Sequence, residues 1–124
     1  YEIHRLLDDM WRTLLRYSGW GLAAPQIGSP VRAIICKVPG NCEIEIIDPQ
    51  YVKRFGGKYY SDEGCLSWPG HRVRIGRDAR VTIEGWDRHG NKIRVGGKRA
   101  QAACIQHEMD HLDGINIADY RREQ

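Results

Sequence analysis

Two histidines and a glutamate near the C-terminus have the spacing of a metal site that activates water. Within a helix, His107 and His111 lie one turn apart on the same face, so both imidazoles can bind one metal ion. Glu108 follows the first histidine and flanks such an ion without having to bind it. In this His-Glu-x-x-His pattern the glutamate serves as general acid/base for a water that the metal activates.

A catalytic metal of this type needs a third protein ligand and an open coordination position. One protease pattern places that ligand downstream, but the matching position here is Ile117, which cannot bind a metal. Asp113 and Asp119 are weaker downstream candidates. The sequence therefore favours a third ligand from upstream.

The four cysteines supply the upstream candidates. Cys65 lies in a predicted loop after a strand, and its thiolate is a good ligand for Zn²⁺ or iron. Cys36 and Cys42 remain alternatives, one in an apolar strand and one at the following turn. Cys104 lies one helical turn before His107 and is expected to pack beside the metal. Nothing indicates secretion, so we expect thiols at some or all of these positions.

The elements that position these residues follow from hydrophobic periodicity. An amphipathic helix is predicted over residues 2–17, and the metal-bearing helix is predicted over 98–113 without a good N-cap, ending at Gly114. Alternating segments predict strands at 31–38, 43–47, 58–61, 79–86 and 92–95. We expect Gly56-Gly57 to interrupt the strand pattern and Gly96-Gly97 to end the sheet.

Strands followed by a terminal helix, without alternating βαβ units, indicate an α+β fold. We predict antiparallel β-sheets packed around the C-terminal metal-bearing helix, with one N-terminal helix, in a single domain over residues 1–124. No apolar run is long enough to span a bilayer and the start does not resemble a signal peptide, so we expect a cytoplasmic protein. The formal charge of +3 is spread over scattered basic residues, which predicts no specific nucleic-acid partner.

Three stretches together resemble the signature motifs of the peptide deformylase family, in the same order. They are Gly19-Trp20-Gly21-Leu22-Ala23-Ala24-Pro25-Gln26, Glu63-Gly64-Cys65-Leu66-Ser67 and Gln106-His107-Glu108-Met109-Asp110-His111-Leu112. The resemblance covers nearly the whole chain. It implies a catalytic domain that removes the formyl group from the N-terminal formylmethionine of new proteins and releases formate.

The resemblance also implies a set of site residues and a cofactor. The metal would be held by Cys65, His107 and His111, with one divalent ion per chain, Fe²⁺ in the cell, replaceable by Zn²⁺, Ni²⁺ or Co²⁺. Glu108 would transfer the proton, and the Gln26 amide and the Leu66 backbone N–H would stabilise the negative charge on the formyl oxygen. The substrate peptide would contact Trp20, Gly21, Gly64, Arg72, Ala103 and Cys104.

The chain departs from family members that have a longer N-terminal segment and a long C-terminal helix. We therefore expect a short-form domain, bacterial, phage or organellar in origin, that meets N-formylmethionyl nascent peptides as a monomer with weak or absent ribosome association. A metalloprotease and a metal-stabilised binding module remain as other classes. A binding module would need neither Glu108 nor Gln26, and the presence of both favours an enzyme.

Overall fold

Three helices and five strands make up the described part of the computed structural model, which covers residues 2–65 and 68–121. The helices are α1 (Glu2–Tyr17), α2 (Ala100–Leu112) and α3 (Ile117–Arg121). The strands are β1 (Gly21–Ala23), β2 (Ala33–Cys36), β3 (Ile44–Cys65), β4 (Trp68–Trp86) and β5 (Lys92–Lys98). A short 3₁₀ helix, Ala24–Ile27, follows β1 directly.

The five strands form one sheet in chain order, and every strand runs antiparallel to its neighbour. This arrangement confirms the predicted α+β fold, with one continuous sheet. The sequence did not predict β1 or α3, because three and five residues are too few for hydrophobic periodicity to appear. The predicted helix over 2–17 matches α1, and the predicted helix over 98–113 is α2 with shorter ends.

The glycine pair that we expected to interrupt the strand pattern lies inside β3. Gly56 and Gly57 have φ angles of +89° and +80°, and the pairing register with β4 shifts between Phe55 and Lys58. A bulge of this kind absorbs extra residues and increases the local twist without ending the strand. The segments predicted separately at 43–47 and 58–61 therefore belong to one strand.

The prediction that Gly96-Gly97 ends the sheet was also wrong. Both glycines pair with β4 within β5, opposite Thr82 and Val81. A Cβ atom on Gly97 would lie 2.6 Å from Cγ of Gln101. Glycine is needed here because β5 passes directly beneath the first turn of α2.

Helix α1 covers one face of the sheet at its β1–β2 end. Leu7, Met10 and Leu14 recur at intervals of three and four and have no exposed surface. They pack in one cluster with Leu22, Ala24, Ala33 and Ile35. The amphipathic character predicted for this helix is confirmed by that packing.

Helix α2 lies on the opposite face of the sheet. Its side chains pack against strand residues of the other parity, including Ile34, Ile46 and Val81. Every residue from Gln101 to Met109 is buried. Arg99 precedes the first helical residue with a positive φ of 54°, and its side chain makes no capping hydrogen bond, in agreement with the predicted lack of a cap. Polar side chains on so deeply buried a helix need internal partners.

No helix within residues 2–65 and 68–121 is long and apolar enough to cross a membrane.

Candidate metal centre and substrate cleft

Three candidate ligands converge where the end of β3 meets the middle of α2. Cys65 is the last residue of β3, so the loop predicted for it is a strand end. The ligand atoms of Cys65, His107 and His111 all lie within 4.8 Å of one another. Nε2 of His111 lies 3.2 Å from the Cys65 sulfur and 3.2 Å from Nε2 of His107.

The alternative third ligands lie elsewhere or are already paired. Asp113 forms an ion pair with Arg32 at 3.4 Å, and Asp119 of α3 accepts a hydrogen bond from the backbone N–H of Asn116. Cys36 is buried in the apolar cluster beneath α2, whereas Cys42 is exposed. The side chain of Ile117 is buried in a cluster with β4, so the protease-type position is structural. Among the described residues, Cys65 is the candidate that the fold brings to the histidines.

A carboxylate behind the site fixes the orientation of His107. Nδ1 of His107 lies 2.8 Å from Oε1 of Glu63, which leaves Nε2 directed toward Cys65 and His111. Carboxylate–histidine pairs of this kind set the tautomer of a metal-binding imidazole and raise its basicity. Glu63 and Cys65 share one face of β3 because side chains two apart in a strand point the same way.

Glu63 belongs to a buried polar network that the sequence analysis missed. Arg77 of β4 donates two hydrogen bonds to Glu63, at 2.7 and 3.0 Å, and a third to Asp110 of α2 at 2.6 Å. The Tyr120 hydroxyl also donates to Asp110, at 2.6 Å. The sequence contained one sign of this network, because Arg77 follows Val73 and Ile75 at two-residue intervals and so falls on the same side of the strand. In the structure Arg77 is only 4% exposed.

The ionisable groups in this network favour a bound cation. Burial raises the pKa of Glu63, but hydrogen bonds with His107 and Arg77 outweigh it and lower that pKa to about 2. Burial lowers the pKa of His107, but hydrogen bonds with Cys65 and Glu63 outweigh it and raise that pKa to about 11. Negative groups that hold a proton on His107 also favour a divalent ion, which competes with protons for the same donor atoms.

Replacing Arg77 should destabilise the fold strongly. We expect Arg77→Leu to lower the free energy of unfolding by about 3–5 kcal/mol, because Glu63 and Asp110 would keep buried charges without their cation. Urea unfolding followed by circular dichroism measures the change. Arg74→Leu is the control, since Arg74 faces outward on the same strand and its contact with a tyrosine ring contributes about 1 kcal/mol at most. Equal losses in the two variants would contradict a structural role for the network.

Glu108 faces the ligands from within the same helix. It is 3% exposed, and its Oε1 has no hydrogen-bond partner within residues 2–65 and 68–121. Burial raises its pKa to about 7, against the opposing effect of His107 and His111. A Cβ atom on Gly21 would lie 2.6 Å from Oε2 of Glu108, so the backbone of β1 lies against this carboxylate. A buried carboxyl that titrates near neutrality suits proton transfer.

Gln26 reaches the site from the 3₁₀ helix after β1. Its Oε1 accepts a hydrogen bond from the backbone N–H of Ala23 at 2.8 Å, which fixes the amide orientation. Its Nε2 then lies 3.5 Å from the Cys65 sulfur. An N–H donor is thereby directed into the space beside the candidate ligands.

The site opens into a cleft of about 630 Å³ between β1, β3 and α2. Its walls contain the predicted substrate-contact residues Trp20, Gly21, Gly64, Arg72, Ala103 and Cys104. Trp20 is 51% exposed at the rim. Arg72 donates a hydrogen bond to the Asp62 carbonyl at 2.8 Å, which holds its side chain over β3. Leu66, for which we predicted a backbone donor role, lies outside the described residues.

The donor set fits a divalent transition metal. One thiolate and two imidazoles suit iron, zinc, nickel or cobalt, and three protein ligands leave a position for water or substrate. The unpartnered Oε1 of Glu108 in the same buried space gives that water an acceptor.

Comparison with known proteins identifies the family. The family model for polypeptide deformylase matches residues 1–124. A peptide deformylase of Acetivibrio thermocellus is 44% identical over 118 residues, which cover 95% of this chain and 68% of that protein. The chain belongs to the peptide deformylase family.

Solved deformylase structures share the fold. The enzyme of the Vibrio parahaemolyticus bacteriophage VP16T, in complex with actinonin, superposes with a TM-score of 0.89 at 36% identity, covering 94% of this chain and 85% of the phage chain. A Met-Ala-Ser-bound class I type b peptide deformylase from Acinetobacter baumannii gives 0.88 at 28% identity, covering 94% and 79%. The chain is thus a metal-dependent hydrolase that removes the N-formyl group from new peptides.

Proposed function

We propose that Cys65, His107 and His111 hold one divalent ion, and that Glu108 and Gln26 carry out deformylation beside it. The observation that carries this proposal is the convergence of the three ligand atoms within 4.8 Å, next to a buried Glu108 oxygen that has no partner in the described part of the chain. When bound, the ion supplies Lewis acidity, which lowers the pKa of a coordinated water and polarises the formyl carbonyl.

Glu108 performs the proton transfers. Its carboxylate accepts a proton from the water that attacks the formyl carbon, and returns it to the amine as the C–N bond breaks. The products are formate and the free N-terminus of the peptide. Burial keeps the Glu108 pKa near 7, so this group both accepts and releases a proton at neutral pH.

Gln26 stabilises the charge that develops on the formyl oxygen. Its amide is held by the Ala23 N–H before substrate arrives, so little reorganisation is needed during the reaction. We assign a second donor to the backbone N–H of Leu66 from the family resemblance. A preorganised donor in a water-excluded site contributes more than the same hydrogen bond in water.

The substrate peptide lies extended between β1 and β3. β1 is the edge strand of the sheet and pairs only with β2 there, which leaves the other side of Gly21 open to the cleft. Gly64 lies across the cleft near the end of β3. Backbone pairing with these glycines would bind peptides of varied sequence by strand addition.

The methionine side chain enters the part of the cleft lined by Ala103, Cys104 and Trp20. We expect Ala103→Leu to raise KM for formyl-Met-Ala-Ser about tenfold with a smaller change in kcat, because the added carbons occupy ground-state binding space. Steady-state formate release measures both constants. The control is Ala118→Leu, which adds the same carbons in α3, outside the cleft. Ala102→Leu is unsuitable as a control because Ala102 is buried in the core. Unchanged KM for Ala103→Leu would place the methionine elsewhere.

The metal in the cell is proposed to be Fe²⁺, with Zn²⁺, Ni²⁺ or Co²⁺ as substitutes. The test is formate release from formyl-Met-Ala-Ser by protein purified anaerobically, with metal content measured on the same sample. Because a thiolate beside Fe²⁺ is prone to oxidation, the Fe²⁺ form should lose activity in air faster than the Ni²⁺ form. No formate from metal-loaded protein would overturn the proposed function, and equal lifetimes in air would count against Fe²⁺.

We further infer that residues 1–124 act as one catalytic domain, monomeric and cytoplasmic, with weak or absent ribosome association. Support for a monomer comes from the site itself, since the three candidate ligands, Glu108 and Gln26 all belong to one chain. Light scattering at assay concentration tests the oligomeric state.

A further inference from the structure

One part of the sheet surface is covered by neither α1 nor α2. In β4, Val81, Ile83 and Gly85 face α2, so the alternate residues Arg80, Thr82, Glu84 and Trp86 face the other way. Helix α1 covers that side over β1, β2 and the start of β3, where Ile47 packs on its cluster and Glu45 accepts a hydrogen bond from Trp11. We call the outward side of β3–β5 along Arg80–Trp86, with its cross-strand neighbours, the open sheet face.

Basic residues from three strands meet on the open sheet face. Arg80 pairs with Lys98, Glu84 with Arg94, Trp86 with Lys92, and Thr82 with Lys53. The face thus has five cationic side chains and one carboxylate, Glu84, which forms salt bridges with Lys92 at 3.1 Å and Arg94 at 2.8 Å.

The open sheet face concentrates the positive charge of the chain. Five cations and one carboxylate leave four positive charges, against a formal net charge of +3 for all 124 residues. Asp78 lies next along β4, but its salt bridge with Lys58 at 3.8 Å adds no net charge. The residues that look scattered in the sequence are collected by strand pairing, and they form an electrostatic footprint for a polyanion.

Two exposed aromatic rings lie at opposite ends of this face. Phe55, opposite Arg80, is 37% exposed, and Trp86 is 42% exposed. The two positions, Arg80 and Trp86, are six residues apart along β4, which corresponds to roughly 20 Å. Each ring has a cation beside it, with Lys53 Nζ 4.5 Å from the Phe55 centroid and Lys92 Nζ 5.8 Å from the Trp86 centroid.

We propose that the open sheet face binds RNA with unpaired bases. Cations on β3–β5 would contact phosphates, and Phe55 and Trp86 would stack on bases, as aromatic side chains on exposed sheets can. Thr82 and Gly96 lie between the two rings, so the rings do not form the continuous apolar surface that a membrane-binding face would present. Contacts of this type are independent of base sequence.

The test is the fluorescence anisotropy of a labelled oligouridine of twelve nucleotides, titrated with metal-loaded protein. We expect affinity to fall between 50 and 200 mM KCl with a logarithmic slope of about −2 to −3, as three or four phosphate contacts would give. Lys53→Glu with Arg80→Glu should weaken binding at least tenfold. Arg12→Glu with Arg16→Glu makes the same charge change on the exposed side of α1 and should weaken it less than threefold.

A stacking variant separates RNA from other polyanions. Phe55→Ala should weaken oligouridine binding about fivefold or more, since stacked bases lose affinity when the ring is removed. All variants should keep the deformylation rate on formyl-Met-Ala-Ser, which also reports correct folding. If the two double variants lost the same RNA affinity, binding would depend only on the net charge of the protein, and the proposal would be wrong. Unchanged binding by Phe55→Ala, or full competition by phosphatidylserine vesicles, would also overturn RNA as the partner.

Discussion

Glu108→Ala should retain its metal, and its deformylase activity should fall by ~10²–10⁴-fold, the range typical of a general acid/base. The carboxylate is buried beside the candidate ligands, and its Oε1 has no hydrogen-bond partner among the described residues. Its proposed role in proton transfer does not require it to bind the metal. Removing it takes away the acceptor for the proton of the attacking water and leaves the two histidines and Cys65 in place. The measurement is formate release per bound metal ion.

The matched control for this prediction is Asp113→Ala. Asp113 is an exposed carboxylate just past the end of α2, and its replacement removes the same charge without entering the cleft. It should keep activity within about twofold, as surface substitutions remote from the chemistry do. A metal-loaded Glu108→Ala variant with a near-normal rate would remove Glu108 from the mechanism, and loss of its metal would make it a ligand.

The sequence predicted the fold class because the strongest periodic signals fall on its largest elements. The apolar residues of α1 recur at three and four, and the β4–β5 hairpin has an alternating strand on each side of a glycine-containing turn. The errors lie at glycines. Gly56 and Gly57 form a bulge within β3, and Gly97 lets β5 lie close to α2. Each strand therefore continues through its glycine pair, because of contacts with elements distant in sequence. A sequence pattern alone does not distinguish these uses from strand ends.

The candidate site was predictable where its parts are local in sequence. His107, Glu108 and His111 are defined by helical spacing. Cys65 was one of three cysteines that could complete the pair, and the family resemblance selected it. The network behind them was not predicted because its members are distant in sequence. Arg77 joins Glu63 of β3 to Asp110 of α2 across separations of 14 and 33 residues. Only the antiparallel pairing of β3 and β4 brings that arginine to the buried side of the site.

The network also bears on why α2 is so deeply buried yet polar. His107 and Asp110 lie on neighbouring turns, and each has a partner from another element, Glu63 and Arg77 respectively. Gln106 is satisfied as well, since it exchanges hydrogen bonds with the backbone of Asp78 at 3.0 and 2.8 Å. Among the buried side-chain nitrogen and oxygen atoms of the described residues, only Oε1 of Gln101 and Oε1 of Glu108 lack a partner. Gln101 lies in the first turn of α2, whereas the unpaired oxygen of Glu108 lies beside the candidate ligands, at the position where proton transfer is proposed.

Cys65→Ala should lose nearly all bound metal and the activity with it. Two imidazoles one turn apart hold an ion far less tightly than a set of three ligands, and metal binding contributes to folding stability. We therefore expect less than about a tenth of the wild-type metal content. The metal-dependent rise in Tm should also disappear, because a ligand that binds only the folded state stabilises it in proportion to its affinity.

The other cysteines provide the comparison for this variant. Cys42→Ala removes an exposed thiol, and Cys36→Ala removes a buried one in the core under α2, so both should keep one metal ion per chain. Cys36→Ala should lose some stability from its core position, which shows what a packing defect alone does to Tm. Because metal content is measured separately from Tm, a merely unstable Cys65→Ala protein is distinguished from one that lacks a ligand. Full metal content in Cys65→Ala would show that the thiolate is not a ligand. Asp113 or Asp119 would then be the candidates, although Asp113 is paired with Arg32 and Asp119 with the Asn116 N–H in this structure.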